Sequence, residues 1–162
     1  MKKYPLYIVS MAVLAILQHF LFSRLVILGA SPDLLAVFVA YVSVIIGQRT
    51  GIIFGFSAGL LAGFLSGDPG LAALVGTLEG FIAGFFHVSP ESHPTMVKKR
   101  RMFYFGAATA IAAGNLLHTL LSNPLALPAW LRIPSVMVIG TASSLFFAVL
   151  AYQLALKKIL KD

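Results

Sequence analysis

The chain has 162 residues, 59% of them hydrophobic and 10% charged, with a mean hydropathy of +0.95 and a formal net charge of +7. A soluble domain carries about 25% charged residues to face water, so 12 basic and 5 acidic side chains are too few to clothe one of this length. The absence of cysteine excludes disulfide frameworks, thiolate zinc sites and thiol chemistry.

The solvent of such a chain is largely lipid, and the expected fold is an all-α integral membrane protein, one domain over residues 1–162 with six transmembrane helices. Lys2 and Lys3 followed by the apolar run from Pro5 to Leu17 imitate a signal peptide. Gln18, His19 and Arg24 interrupt that run, and Leu28-Gly29-Ala30 is a poor cleavage site. Residues 5–23 are therefore read as an uncleaved first span. Ser31-Pro32-Asp33 introduces the second, 32–47, and Gly47-Gln48-Arg49-Thr50 separates it from the third, 50–67. A single helix over 32–67 would bury Arg49 at its middle, at a cost of about 3 kcal/mol. Gly67-Asp68-Pro69-Gly70 leads into the fourth span, 70–88, and a polar stretch from Ser89 to Arg101 into the fifth, 102–122. Asn123-Pro124 through Pro128 precedes the sixth, 133–156, with Trp130 beside Arg132 as an interfacial anchor.

With the N-terminus inside, Lys2, Lys3, Arg49, Lys98, Lys99, Arg100, Arg101, Lys157, Lys158 and Lys161 are cytoplasmic, and Arg24 and Arg132 lie outside. Ten against two satisfies the positive-inside rule and predicts cytoplasmic termini. Lys98, Lys99, Arg100 and Arg101 set topology in this reading; binding of anionic lipid headgroups or an acidic partner is the alternative. In a protein of this class the positive charge does not point to nucleic acid.

Gly47, Gly51, Gly55, Gly59, Gly63 and Gly67 recur every fourth residue, and Gly76, Gly80 and Gly84 repeat the spacing in the next span. Four residues advance a helix by about 400°, so these glycines form a slowly winding groove where another backbone can approach. The spans 50–67 and 70–88 are expected to be the packed centre. Internal packing and a docking groove for a partner's helix both remain open, and the winding, about 200° over the ladder, leaves part of it facing outward.

Glu79 sits near the middle of the fourth span, where an ionisable group signals function by default. It borders the glycine face, on one line with Ala83 and His87. By depth, Ser57, Asn115 and the Ser143-Ser144 pair are its candidate partners, and a neutral carboxyl donating a hydrogen bond is expected; proton or ion coupling and contact with a ligand or partner are the alternatives. Gln18 and His19 in the first span and Asn115 and His118 in the fifth lie toward the outer half, as a substrate pocket or as interhelical hydrogen bonds. His87 and His93 lack the further ligands that a metal site needs. No catalytic triad order, carboxylate pair, phosphate loop or HExxH motif occurs, so neither an enzyme nor a cofactor is expected.

Pro32-Asp33-Leu34-Leu35, Gly51 through Gly55-Phe56-Ser57-Ala58-Gly59-Leu60, Gly67-Asp68-Pro69-Gly70-Leu71 and Leu78-Glu79-Gly80-Phe81-Ile82-Ala83-Gly84 resemble the MreD family of rod shape-determining proteins. The likeness covers residues 32–86 and continues by hydropathy alone. It departs from the family pattern at Gly63, where an acidic residue is frequent, and at Glu79, where an apolar one is usual. The resemblance implies a non-enzymatic scaffold of the bacterial inner membrane that binds MreC and works with MreB, RodA and a class B penicillin-binding transpeptidase in peptidoglycan synthesis. It also implies a bundle similar to the S components of energy-coupling-factor vitamin transporters. Such a substrate-binding S component is the second functional expectation, although Ser10 to Ile16 carries no clean four-residue small-residue repeat for docking a coupling subunit.

Overall fold

Glycine, proline and aspartate punctuate six helices in the computed structural model, which describes residues 4–21, 32–89, 95–122, 129–151 and 153. The helices are α1 (Tyr4–Phe20), α2 (Leu34–Ile46), α3 (Gln48–Ser66), α4 (Pro69–Gly84), α5 (Met96–Leu121) and α6 (Ala129–Ala151). Lys2, Lys3, Arg24, His93, the Asn123 to Pro128 connection, the end of the sixth span and the C-terminal lysines lie outside the described residues, as do the side chains of Trp130 and Arg132.

Two connections are as short as helices allow. Gly47, at φ +132° and ψ 162°, lies in a region that side chains other than glycine's rarely enter. Its N–H closes the last turn of α2 on the Ser43 carbonyl at 3.0 Å, and α3 begins at the next residue. The second connection ends α3 with Gly67 in the left-handed conformation, φ +89°, and the N–H groups of Gly67 and Asp68 both reach the Gly63 carbonyl, at 2.8 and 3.0 Å. Asp68 then caps α4 by accepting from the Leu71 N–H at 3.3 Å, and Pro69 occupies the first helical position, where its missing N–H costs nothing.

The centre of the bundle is α2, which touches each of the other five helices. Every residue from Leu35 to Val44 except Phe38 is buried, and Tyr41 packs edge-on to Phe103 at 6.2 Å between ring centroids. This corrects the expectation that residues 50–67 and 70–88 form the centre. Those two helices make the most extensive pairwise contact in the bundle, yet each keeps an exposed face. A helix apolar all round can be covered on every side, and α2 has no polar stripe to turn outward.

The periphery is apolar as well. The outer face of α1 shows Leu6, Val9, Val13, Ile16 and Phe20, while its inner face buries Met11 and Ala15. Exposed Phe56 and Phe64 on α3, Phe81 and Phe85 near the end of α4, Phe105 on α5 and Phe146 on α6 continue this surface. Two segments, Gln48–Ser66 and Ile133–Leu150, are long and apolar enough to cross a membrane, and α1, α2 and α4 are shorter apolar helices. The stretch from Ser89 to Arg101 is not all connection: α5 starts at Met96, so Lys98 to Arg101 occupy its first turns.

Candidate functional site

The glycines pair the two helices of the α3–α4 hairpin in antiparallel register. A Cβ built on Gly55 would fall on the Gly76 carbonyl, and one built on Gly76 would fall on the Gly55 carbonyl. Gly80 meets the Gly51 carbonyl in the same way, Gly59 meets that of Ala72, and Gly63 meets the backbone of Asp68 and Pro69. Toward the other end Gly84 lies against the Gln48 side chain, and Gly51 also faces Ser43 of α2. Within the hairpin the chain itself therefore fills the groove, leaving no part of Gly51, Gly55, Gly59, Gly63, Gly76, Gly80 or Gly84 free for a partner's helix. The outward part of the ladder is confined to its end, where Gly67 is exposed and a Cβ would meet nothing within 4 Å. Toward the other end the winding carries the ladder from α4 onto α2, where Gly51 faces Ser43.

Beside this seam lies a cavity of about 140 Å³ on which five helices border. Its polar rim and floor are Gln18 from α1, Asp33 at the head of α2, Glu79 from α4 and His118 from α5; Val39, Ala58 and Val75 are among its apolar walls. Gln18 is held in place by both ends of its amide. Its Nε2 donates to the Pro32 carbonyl at 2.8 Å, and its Oε1 accepts from the Leu34 N–H at 2.9 Å, tying α1 to the first turn of α2. Asp33 caps α2 by accepting from the Ala36 N–H at 2.9 Å, and its own N–H donates to the buried Ser144 hydroxyl of α6 at 2.8 Å. Asp33 is near enough for its charge to act on both Glu79 and His118.

Glu79 is 5% exposed. Among the described residues no group donates to or accepts from its carboxyl, which lies against the bare Cα of Gly114 on α5. The expected partners are engaged elsewhere or stand apart. Ser144 binds the head of α2, Ser143 donates to the Gly140 carbonyl at 3.0 Å, and Asn115 donates to the Thr141 hydroxyl of α6 at 3.4 Å. The expected outer cluster thus divides. Gln18 and His118 reach the cavity, whereas Asn115 joins α5 to α6 and His19 sits half-buried, edge-on to Phe20 at 5.1 Å. Pro32 and Asp33, which introduce the second span in the sequence, form the head of a helix that opens on the cavity. An aspartate directly before an apolar helical run is the sequence signal for that cap.

At the opposite end, the Val44 carbonyl, left without a helical partner by the break at Gly47, accepts from the Val88 N–H at 3.0 Å and from His87 Nδ1 at 2.9 Å. Gln48 Nε2 donates to the Phe81 carbonyl at 3.0 Å. His87 therefore serves as a clasp between the ends of α2 and α4. Lys98, Arg100 and Arg101 are exposed and Lys99 is half-buried, with the Arg101 guanidinium 5.6 Å from the centroid of the Phe105 ring. Cations in the first turns oppose the helix dipole, so helix stability does not account for their placement. No family model, curated protein or solved structure matches the chain.

Proposed function

We propose that the chain is a six-span protein of the bacterial inner membrane that acts, like the MreD family it resembles, as a non-enzymatic scaffold. In this role it holds MreC and, through it, serves the MreB, RodA and class B transpeptidase machinery of lateral wall growth. The observation that carries the reading is the division of the surface: the small-residue groove is consumed inside the hairpin, while the outer face of α1 offers an apolar stripe along its whole length. A partner's transmembrane helix or lipid is the natural neighbour of such a stripe. The basic residues at the head of α5, set against the helix dipole, support cytoplasmic placement of that end.

A second reading, a solute-binding S component, is favoured by the cavity at the end of the bundle where α1 and α5 finish and α2 begins. Co-purification from native membranes separates the two. MreC is the expected companion; recovery of a coupling-transporter subunit in its place would reverse the order of the readings. Topology is tested by cysteines introduced at 68 and 130, which should react with an impermeant reagent from outside, whereas labelling at 99 would sink the six-span arrangement.

A further inference from the structure

We propose that the cavity is a binding site for a small organic cation, an ammonium compound with a short apolar body, and that Glu79 supplies its countercharge. The inference needs only the bundle and stands or falls separately from the scaffold role. Two independent observations meet here: a half-open space of about 140 Å³, and on its wall a carboxyl that is 5% exposed and has no hydrogen-bond partner among the described residues. A carboxyl in either protonation state has hydrogen-bonding capacity that a buried site must satisfy. Gly114, whose Cβ would collide with Glu79, keeps room for this group on the facing helix.

The lining selects the sign of the ligand. The Gln18 amide spends its oxygen and one N–H on the head of α2, so at most one uncharged N–H remains to face a ligand. Asp33 and Glu79 place two carboxyls on the lining against the one imidazole of His118, which sits at the exposed side. A carboxylate or phosphate ligand would meet like charge, whereas an ammonium group donates to acceptors and gains the strength of charge-assisted hydrogen bonds. Among the described residues no three His, Asp or Glu side chains gather closely enough for one metal ion, so the spread of these groups suits a molecule. Size follows from volume: a space of about 140 Å³ is close to the roughly 150 Å³ that accepts benzene, so the part of the occupant held within it has about six non-hydrogen atoms. Leu35, Val39 and Val75 provide the apolar wall for its body.

The test uses the purified full chain in lipid nanodiscs, titrated calorimetrically with n-butylammonium, and with n-butyrate as the anion of matching shape. Saturable binding of n-butylammonium but not of n-butyrate is expected. Glu79→Gln, which keeps the side-chain shape, should weaken binding at least about tenfold. Ala62→Phe, which brings a large side chain into the cavity from α3 and leaves both carboxyls in the sequence, should abolish binding while circular dichroism stays native. Lys99→Gln, remote from the cavity, should bind as the unaltered chain does. Failure of n-butylammonium to bind the unaltered chain, equal affinity for n-butyrate, or undiminished binding to a folded Ala62→Phe variant would each overturn the proposal. Should Glu79→Gln fail to fold, the comparison of the two ligands and the Ala62→Phe variant decide it.

Discussion

The glycine seam and the polar cavity adjoin at Gly55, Gly59 and Gly76, and they treat the same two helices in opposite ways. Along the seam, backbone meets backbone with no room for a methyl group. Across the cavity, the chain leaves space and a buried carboxyl unsatisfied. In the proposed lipid setting, where apolar surface gains little from meeting other apolar surface, close contact over the seam is what would hold α3 to α4. The cavity gives up that contact, which is the usual trade at a place where something else must fit.

The largest effect expected from breaking this contrast is on the seam. Gly76→Leu drives a branched side chain onto the Gly55 carbonyl, and a rigid backbone cannot yield as a flexible side chain can. The loss should reach about 3 kcal/mol, the upper part of the range for overpacked cores, read as a collapse of the thermal unfolding midpoint in detergent. An unchanged midpoint would mean that α3 and α4 are not in contact at Gly55 and Gly76.

Next comes a change of opposite sign. Glu79→Leu removes a buried polar group that has no partner, and should stabilise the bundle by about 2 kcal/mol while removing the cavity's countercharge. A fall in midpoint would show that the carboxyl makes a favourable interaction. Gln18→Ala deprives the Pro32 carbonyl and the Leu34 N–H of their partners together, for a loss of about 1–2 kcal/mol, with faster hydrogen exchange at Leu34 as the local signature. The smallest effect belongs to Asp68→Ala at the exposed end of the seam. Loss of that cap should cost about 0.5–1 kcal/mol, visible as a small shift in midpoint with no change in secondary structure.

Of the fold, the punctuation was legible. Gly47 and Gly67-Asp68-Pro69 interrupt or start helices by local backbone chemistry, which acts within a few residues. The start of α5 was misplaced because its first turns are basic. Basic residues at a helix head run against the dipole, yet the apolar run behind them carries the helix through. Of the site, Gln18, Glu79 and His118 stood out as polar residues among apolar ones, but Asp33 looked like loop and Gly114 carried no signal of its own. Asn115 and His19 stood out equally and lead elsewhere.

What the sequence by itself determined is therefore the number of helices, the breaks between them, and the four-residue spacing that obliges some backbone to come close. Only the tertiary structure decided that Gly55 faces Gly76, that α2 takes the centre, and that Gln18, Asp33, Glu79 and His118 converge from four helices on one cavity. The physical reason lies in the surroundings of the helices. Periodicity states which residues share a face, and in a water-soluble protein the apolar face is the inner one. Here the outer faces are apolar too, with Leu6, Val13, Phe64 and Phe146 exposed as fully as polar residues would be elsewhere. Hydropathy then no longer distinguishes inside from outside, and the choice falls to steric fit between backbones, which only the assembled bundle expresses.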